Sequence, residues 1–183
     1  MKVEETNLTD CLIIEPDIFE DERGYFFEGF NHKKFTKETG VDFHVKQINQ
    51  SRSSRGVLRG LHFQTGKMAQ AKLVSCMEGE LLDVAVDLRK DSPTYGEHAV
   101  VRLSAENKKQ LYIPKGMAHG FLVLSDQAKL MYLVDELYSR EHDTGIMFND
   151  PDLNISWGMS EDEMILSQKD QTLPLLKAAQ IIF

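Results

Sequence analysis

Leu82, Val84, Val86 and Leu88 alternate with Asp83, Ala85 and Asp87. A period of two places the first set on one face of an extended strand and the second on the other. The same short-range pattern runs through the middle of the chain. Ten apolar runs, at residues 10–16, 25–31, 43–51, 57–64, 71–78, 80–88, 96–103, 110–113, 120–124 and 129–137, are each four to nine residues long and rich in Val, Leu, Ile, Phe or Tyr. Many short strands at close spacing are the signature of an all-β domain. Turn residues separate them: Asp21-Glu22-Arg23-Gly24, Glu78-Gly79, Ser92-Pro93-Thr94 and Pro114-Lys115-Gly116. Helices are expected to be short and peripheral. Asn31 can cap a turn running to Lys37 with Gly40 as its stop, Ser160-Glu161-Asp162-Glu163 has the form of a capping box, and 175–179 reads as a last turn. A strand-rich middle with short terminal helices predicts a double-sheet jelly roll.

The 183 residues contain no repeat, low-complexity tract or Pro/Gly-rich linker, so one domain over 1–183 is expected. A net charge of −8 argues against a broad nucleic-acid surface. Any anionic ligand then needs a local cluster of Arg and Lys. No run approaches the roughly 18–20 apolar residues of a membrane-spanning helix. Met1-Lys2-Val3-Glu4-Glu5 lacks an apolar core, so a secretory leader is not expected. Cys11 and Cys76 lie far apart and in no ligand spacing, which reads as two reduced thiols in a cytoplasmic protein.

The densest chemistry lies in 51–64. Arg52, Arg55 and Arg59 fall within eight residues of an otherwise acidic chain, and Arg forks suit phosphate oxygens. Arg52 reads as a solvated edge charge. Arg59 sits inside an apolar strand, where a buried partner or a ligand is expected. His62 follows three residues later. Alone, it reads as a structural histidine, and strict alternation puts it on the face opposite Arg59. A bulge at Gly56 or Gly60 could bring both to one side.

Pro114-Lys115-Gly116-Met117-Ala118-His119 resembles the second motif of the cupin superfamily, a jelly-roll group whose metal-binding members use that histidine as a ligand. In those members the first motif is His-x-His. Here His62-Phe63-Gln64 carries Gln in the second position, and Lys72 stands where another ligand would be sought. Gln is a poor transition-metal ligand and a nearby cation repels one, so no metal is expected at this site. The same pocket suits proton abstraction, with His62 as base and Lys72 as an electrostatic partner for an enolate oxygen. Asp83, Asp87 and Asp170 are each candidates by residue type to orient the imidazole.

Across 11–174 the chain resembles the dTDP-4-dehydrorhamnose 3,5-epimerase family. The resemblance rests on Asp21-Glu22-Arg23-Gly24-Tyr25-Phe26, Gln47-Ile48-Asn49-Gln50-Ser51, Arg55-Gly56-Val57-Leu58-Arg59-Gly60-Leu61-His62-Phe63-Gln64, Gln70-Ala71-Lys72 and Asp83-Val84-Ala85-Val86-Asp87-Leu88-Arg89. It continues through Ser92-Pro93-Thr94-Tyr95-Gly96, Ile113 to Phe121, Asn149-Asp150-Pro151 and Leu166-Ser167-Gln168-Lys169-Asp170. It implies a cupin-like jelly roll that needs no cofactor, acts on a dTDP-4-keto-6-deoxy sugar and forms a homodimer. It implies that His62 removes the C3 and C5 protons, Asp170 orients it, Tyr132 donates a proton from the opposite face and Lys72 stabilises the enolate on O4. It further implies substrate contacts from Arg23, Glu28, Gln47, Ile48 (through its backbone), Asn49, Arg59, His119, Asp143 and Lys169, with Tyr138 stacking on thymine. Some of these residues could serve a neighbouring subunit's site. Leu133, Leu137 and Phe148 depart from the family's common Lys, Tyr and Trp. Three other functions fit parts of the pattern: a C3-only or C5-only epimerase of another dTDP-keto sugar, a metal-dependent cupin enzyme, and a non-catalytic sugar-nucleotide binding module.

Overall fold

A computed structural model describes residues 1–183. Thirteen strands form in chain order: β1 (Lys2–Glu5), β2 (Leu12–Glu15), β3 (Ile18–Asp21), β4 (Gly24–Phe27), β5 (Gln47–Ser54), β6 (Leu58–Gln64), β7 (Lys72–Glu78), β8 (Glu80–Asp87), β9 (His98–Ser104), β10 (Gln110–Ile113), β11 (Met117–Val123), β12 (Gln127–Val134) and β13 (Asp143–Gly145). A six-stranded sheet runs β1-β2-β10-β7-β12-β5, and a five-stranded sheet runs β13-β6-β11-β8-β9. The named strand pairs are antiparallel. This is the expected double-sheet jelly roll. Strands β3 and β4 form a separate hairpin.

The layer between the sheets is built from alternate residues of facing strands. Val74 and Cys76 of β7, Leu111 and Ile113 of β10 and Leu130 of β12 meet Leu81 and Ala85 of β8, Leu103 of β9, and Phe121 and Val123 of β11. The alternation in β8 is as read from the sequence, but the face assignment is not the simple one. Val84 and Val86 point away from this interior and pack, with Leu58, Leu61, Phe63 and Leu122, under Ile146, Phe148, Leu153 and Trp157. The chain beyond β13 thus wraps the outer face of the five-stranded sheet, and Asp83 and Ala85 face the jelly-roll interior. Trp157 Nε1 donates to the Phe148 carbonyl at 3.0 Å, which satisfies the indole as it is buried.

One α-helix forms, α1 (His32–Thr39). Its boundaries are local chemistry. The Asn31 side chain accepts from Lys34 N, and the Gly40 N–H donates to the Thr36 carbonyl. Its buried Phe35 packs with Phe43 and Tyr112 over the outer face of the six-stranded sheet. The other helical pieces are single 3-10 turns at Gly66–Met68, Glu161–Glu163, Asp170–Thr172 and Leu176–Ala178. The capping box expected at Ser160 is not made in full, because no Ser160 side-chain cap bond forms. No helix is long and apolar enough to cross a membrane. The run 25–31 is a strand only as far as Phe27, and β1, β3 and β13 form without a sequence signal.

Candidate active site

Strand β6 carries His62 and Arg59. Its register against β11 pairs His119 with His62 but Phe121 with Arg59, so three residue steps on β6 match two on β11. The extra residue is a bulge, and it cancels the alternation that would have put Arg59 and His62 on opposite faces. Both side chains line one cavity. Gly60 permits the bulge. It has φ of 127°, and a Cβ there would lie 2.5 Å from Gly120 Cα and 2.8 Å from the His119 carbonyl oxygen. Arg59 finds no ion-pair partner, and the one side chain it bonds, Ser53, is buried. The side chain is exposed, and its Nε donates only to Ser53 Oγ at 3.1 Å. An exposed charge keeps its hydration, so the strand does not need to neutralise it.

The cavity has a volume of about 200 Å³ and is lined by Asn49, Arg59, His62, Gln70, Lys72, His119, Phe121, Tyr132 and Val134. These come from both sheets: β5, β7 and β12 on one side, β6 and β11 on the other. The sequence reading missed Gln70, Phe121 and Val134. Phe121 was findable, because it lies two residues from His119 on the same face of β11.

The three candidate aspartates have separate partners. Asp170 Oδ1 lies 2.5 Å from His62 Nε2. An N–H at Nε2 donating to this carboxylate leaves the other ring nitrogen with the lone pair. Burial alone would raise the Asp170 pKa, but the hydrogen bond and charge of His62, with Ser167 beside it, bring it below the usual carboxylate value. Asp83 instead holds His119, at 2.7 Å from Nε2. Its other oxygen, Oδ2, is buried with no hydrogen-bond partner. Burial dominates there and pushes the Asp83 pKa up, against the opposing pull of His119. Asp87 is taken by Arg89, Ser92 and Thr94 in the turn after β8.

Asp170 reaches His62 because the tail is laced to the sheet. Leu61 and Ile146 exchange backbone hydrogen bonds at 2.9 and 3.2 Å, and Met147 N donates to the Pro174 carbonyl at 2.8 Å. That frame returns the Asp170–Thr172 turn to the mouth of β6.

Lys72 faces the cavity from β7 and forms no ion pair. Its one hydrogen-bond acceptor is Gln70 Oε1 at 3.5 Å. Burial lowers the Lys72 pKa to about 8, with Asp143 and Asp135 pulling in the other direction. Tyr132, on β12, bonds Ser51 Oγ at 3.0 Å, and its ring meets His119 edge-on at 6.0 Å between centroids. Burial pushes its phenol pKa up, so the hydroxyl keeps its proton.

A polar rim extends from the cavity. Gln47 Nε2 donates to Asn49 Oδ1 at 2.7 Å, and Gln47 Oε1 accepts from Tyr138 N at 3.0 Å. The Tyr138 hydroxyl donates to Asp143 Oδ2 at 3.2 Å, and Lys169 Nζ reaches the same oxygen at 2.6 Å. Lys169 precedes Asp170, which closes the path back to His62. Ile48 and Tyr138 are exposed on this rim.

Arg23 and Glu28 do not join the cavity. Arg23 lies in the β3–β4 turn, bonded to Asp21, and Glu28 follows β4 beside Pro16 and Phe30. The donor set of the cavity fits a metal poorly. Each histidine Nε2 already faces its own carboxylate, and the amide nitrogen of Gln64 donates to the Met68 and Leu137 carbonyls.

A sequence model of the family described as dTDP-4-dehydrorhamnose 3,5-epimerase matches residues 5–178. The chain is 50% identical over 170 residues to the dTDP-4-dehydrorhamnose 3,5-epimerase of Shigella flexneri, covering 93% of each chain. The crystal structure of dTDP-4-dehydrorhamnose 3,5-epimerase from Elizabethkingia anophelis is similar at a TM-score of 0.93 and 56% identity, over 97% of each chain. That of dTDP-6-deoxy-D-glucose-3,5-epimerase from Legionella pneumophila, in complex with dTDP-4-keto-L-rhamnose, gives a TM-score of 0.95 at 43% identity, over 100% of this chain and 98% of that one.

Proposed function

The chain belongs to the dTDP-4-dehydrorhamnose 3,5-epimerase family, and we propose that the cavity around His62 is where it epimerises the keto sugar. The enzyme is an isomerase of dTDP-linked sugars in the dTDP-rhamnose route, and dTDP-4-keto-6-deoxyglucose is the substrate taken here. Carbons C3 and C5 both flank the C4 ketone, so one stabilised enolate oxygen acidifies both C–H bonds. His62 removes the proton at each carbon. Asp170 stays ionised behind it and stabilises the imidazolium that forms. Lys72, with no carboxylate to neutralise it, stabilises the developing charge on O4. Tyr132 returns a proton from the other face and so inverts the centre.

The observation that carries this reading is an accessible His62, 31% exposed, in the cavity that also holds Lys72 and Tyr132, backed by a buried Asp170, 3% exposed. Arg59, Asn49 and His119 are taken as contacts to the sugar and phosphates. Gln47, the Ile48 backbone, Asp143 and Lys169 line the nucleotide's path, with Tyr138 stacking on thymine. The test is incubation with dTDP-4-keto-6-deoxyglucose in D₂O, followed by NMR. Deuterium should enter at C3 and C5, and His62→Ala should abolish both. Exchange at one carbon alone would mean a mono-epimerase. Exchange surviving in His62→Ala would remove His62 as the base.

The active form is proposed to be a homodimer. The β3–β4 hairpin exposes Phe19 (64%), Tyr25 (58%) and Phe26 (69%), an apolar surface that a second copy would cover. Such a contact would bring Arg23 and Glu28 toward a neighbouring cavity. Light scattering should give twice the chain mass, and Phe26→Asp should lower it and raise KM. A monomeric wild-type protein with full activity would refute this. The two thiols are free and buried, in keeping with a reducing cytoplasmic setting.

A further inference from the structure

On the outer face of the six-stranded sheet, away from the His62 cavity, three ligand-type side chains converge. His32 opens α1, and Asp42 and His44 lie on the segment that leaves it after Gly40. His32 Nε2 is 2.9 Å from Asp42 Oδ1, and His44 Nε2 is 3.0 Å from the same oxygen. All three ligand atoms lie within 4.8 Å of one another. We propose that His32, Asp42 and His44 form a binding site for a divalent first-row transition metal, with Zn²⁺ the best chemical fit.

The donor set is two imidazoles and one carboxylate, the ligand types that Zn²⁺ takes in open sites where water completes the shell. The spacing fits as well. Zn–N and Zn–O bonds of about 2.0–2.2 Å put tetrahedral ligand atoms about 3.3 Å apart. The two measured separations are a few tenths of an ångström shorter, so the trio opens slightly to admit the ion. Each imidazole gives up its bond to Asp42 and turns a lone pair to the metal.

The scaffold holds the trio in place. Phe35 of α1 and Phe43 are both fully buried and pack at 5.8 Å between ring centroids. Alternation about Phe43 therefore turns Asp42 and His44 outward together, on the side where His32 stands. The ligands come from two segments joined by one short loop, so a bound ion would clip the start of α1 to the chain that follows it.

The test uses the full-length protein and zinc chloride, with titration calorimetry and thermal unfolding. The wild type should bind one equivalent at this site and unfold at higher temperature with zinc present. Outer-sphere changes alone cost about 10–100-fold in metal affinity, so loss of a ligand should weaken binding by at least about tenfold. His44→Ala and the shape-conserving Asp42→Asn should each show that loss, with no change in epimerase rate. His62→Asn should leave the site's zinc affinity unaltered. Absence of zinc binding, or binding equally tight in His44→Ala and Asp42→Asn, would overturn the proposal.

Discussion

Gly60→Ala tests whether the β6 bulge aims His62 and Arg59 into one cavity. The substitution meets two separate obstacles. At φ of 127° an alanine occupies backbone space that is nearly glycine-only, a strain of about 1–3 kcal/mol. Its Cβ would also stand 2.5 Å from Gly120 Cα and 2.8 Å from the His119 carbonyl oxygen, both backbone atoms of the paired strand. Relieving that contact requires β6 and β11 to move apart, and overpacking of this kind costs a further ~1–3 kcal/mol. The sum, about 2–6 kcal/mol, is a large part of the roughly 5–15 kcal/mol that stabilises a typical domain. Gly24 supplies the control. Its φ of 119° is similar, but nothing lies within 4 Å of its added Cβ, so Gly24→Ala should show the backbone strain without the collision. Urea unfolding at one fixed protein concentration measures stability, and exchange in D₂O measures the chemistry. Gly60→Ala should be the less stable of the two and should lose exchange by more than its folded fraction explains, because His62 and Arg59 no longer share an aim. Equal stability of the two variants would refute the contact argument. Wild-type exchange from folded Gly60→Ala would refute the aiming argument.

Further outcomes are expected at Lys72 and Tyr132. Lys72 titrates near pH 8 in the free enzyme because its ammonium is desolvated, so kcat/KM should fall on the alkaline side with an apparent pKa near that value, and Lys72→Met should be slow at every pH; a wild-type profile flat to pH 10 would remove Lys72 from the mechanism. The same shift has a stability sign: the unfolded lysine titrates near 10.5, so between about 8 and 10.5 the unfolded state binds more protons, and this group's unfavourable contribution is relieved as pH rises. Tyr132→Phe should keep deuterium exchange, since abstraction needs only His62 and Lys72, but should lose net inversion; inversion at the wild-type rate would exclude Tyr132 as the donor.

Much of the fold is legible where its cause is local. Helix α1 follows from Asn31 and Gly40, whose capping bonds span only three or four residues. The β8 alternation is equally plain. Which of its faces lines the jelly-roll interior is not, because both are buried: one against the opposite sheet, the other under the tail that carries Phe148, Leu153 and Trp157. That tail has no strand period to announce its packing. The hairpin strand β3 is missed for the opposite reason, since all four of its residues are exposed and no apolar face is required. The site behaves likewise. Asp170 is 108 residues from His62 in sequence, so only chain-wide resemblance, and no local spacing, could choose it over Asp83 and Asp87. Arg59 and His62 appeared to conflict because alternation assumes an unbroken ladder, and a one-residue bulge reverses every facing beyond it.

Two histidines opposed in register across β6 and β11 line the cavity, each backed by its own aspartate, and the proposed role of base suits only one of them. A base must reach substrate, and the cation it becomes must be stabilised by a carboxylate that stays charged. His62 is 31% exposed and Asp170 is held below its usual pKa. His119 is 6% exposed, and its partner Asp83 is wholly buried with Oδ2 unpaired and its pKa pushed up. Charging His119 would still leave Asp83 Oδ2 buried without a hydrogen-bond partner. The His119–Asp83 pair is therefore better matched to a fixed, hydrogen-bonding wall beside Tyr132 than to proton shuttling. Burial stiffens one pair as a wall and leaves the other open to solvent, the arrangement the proposed mechanism needs if a single histidine is to serve both carbons.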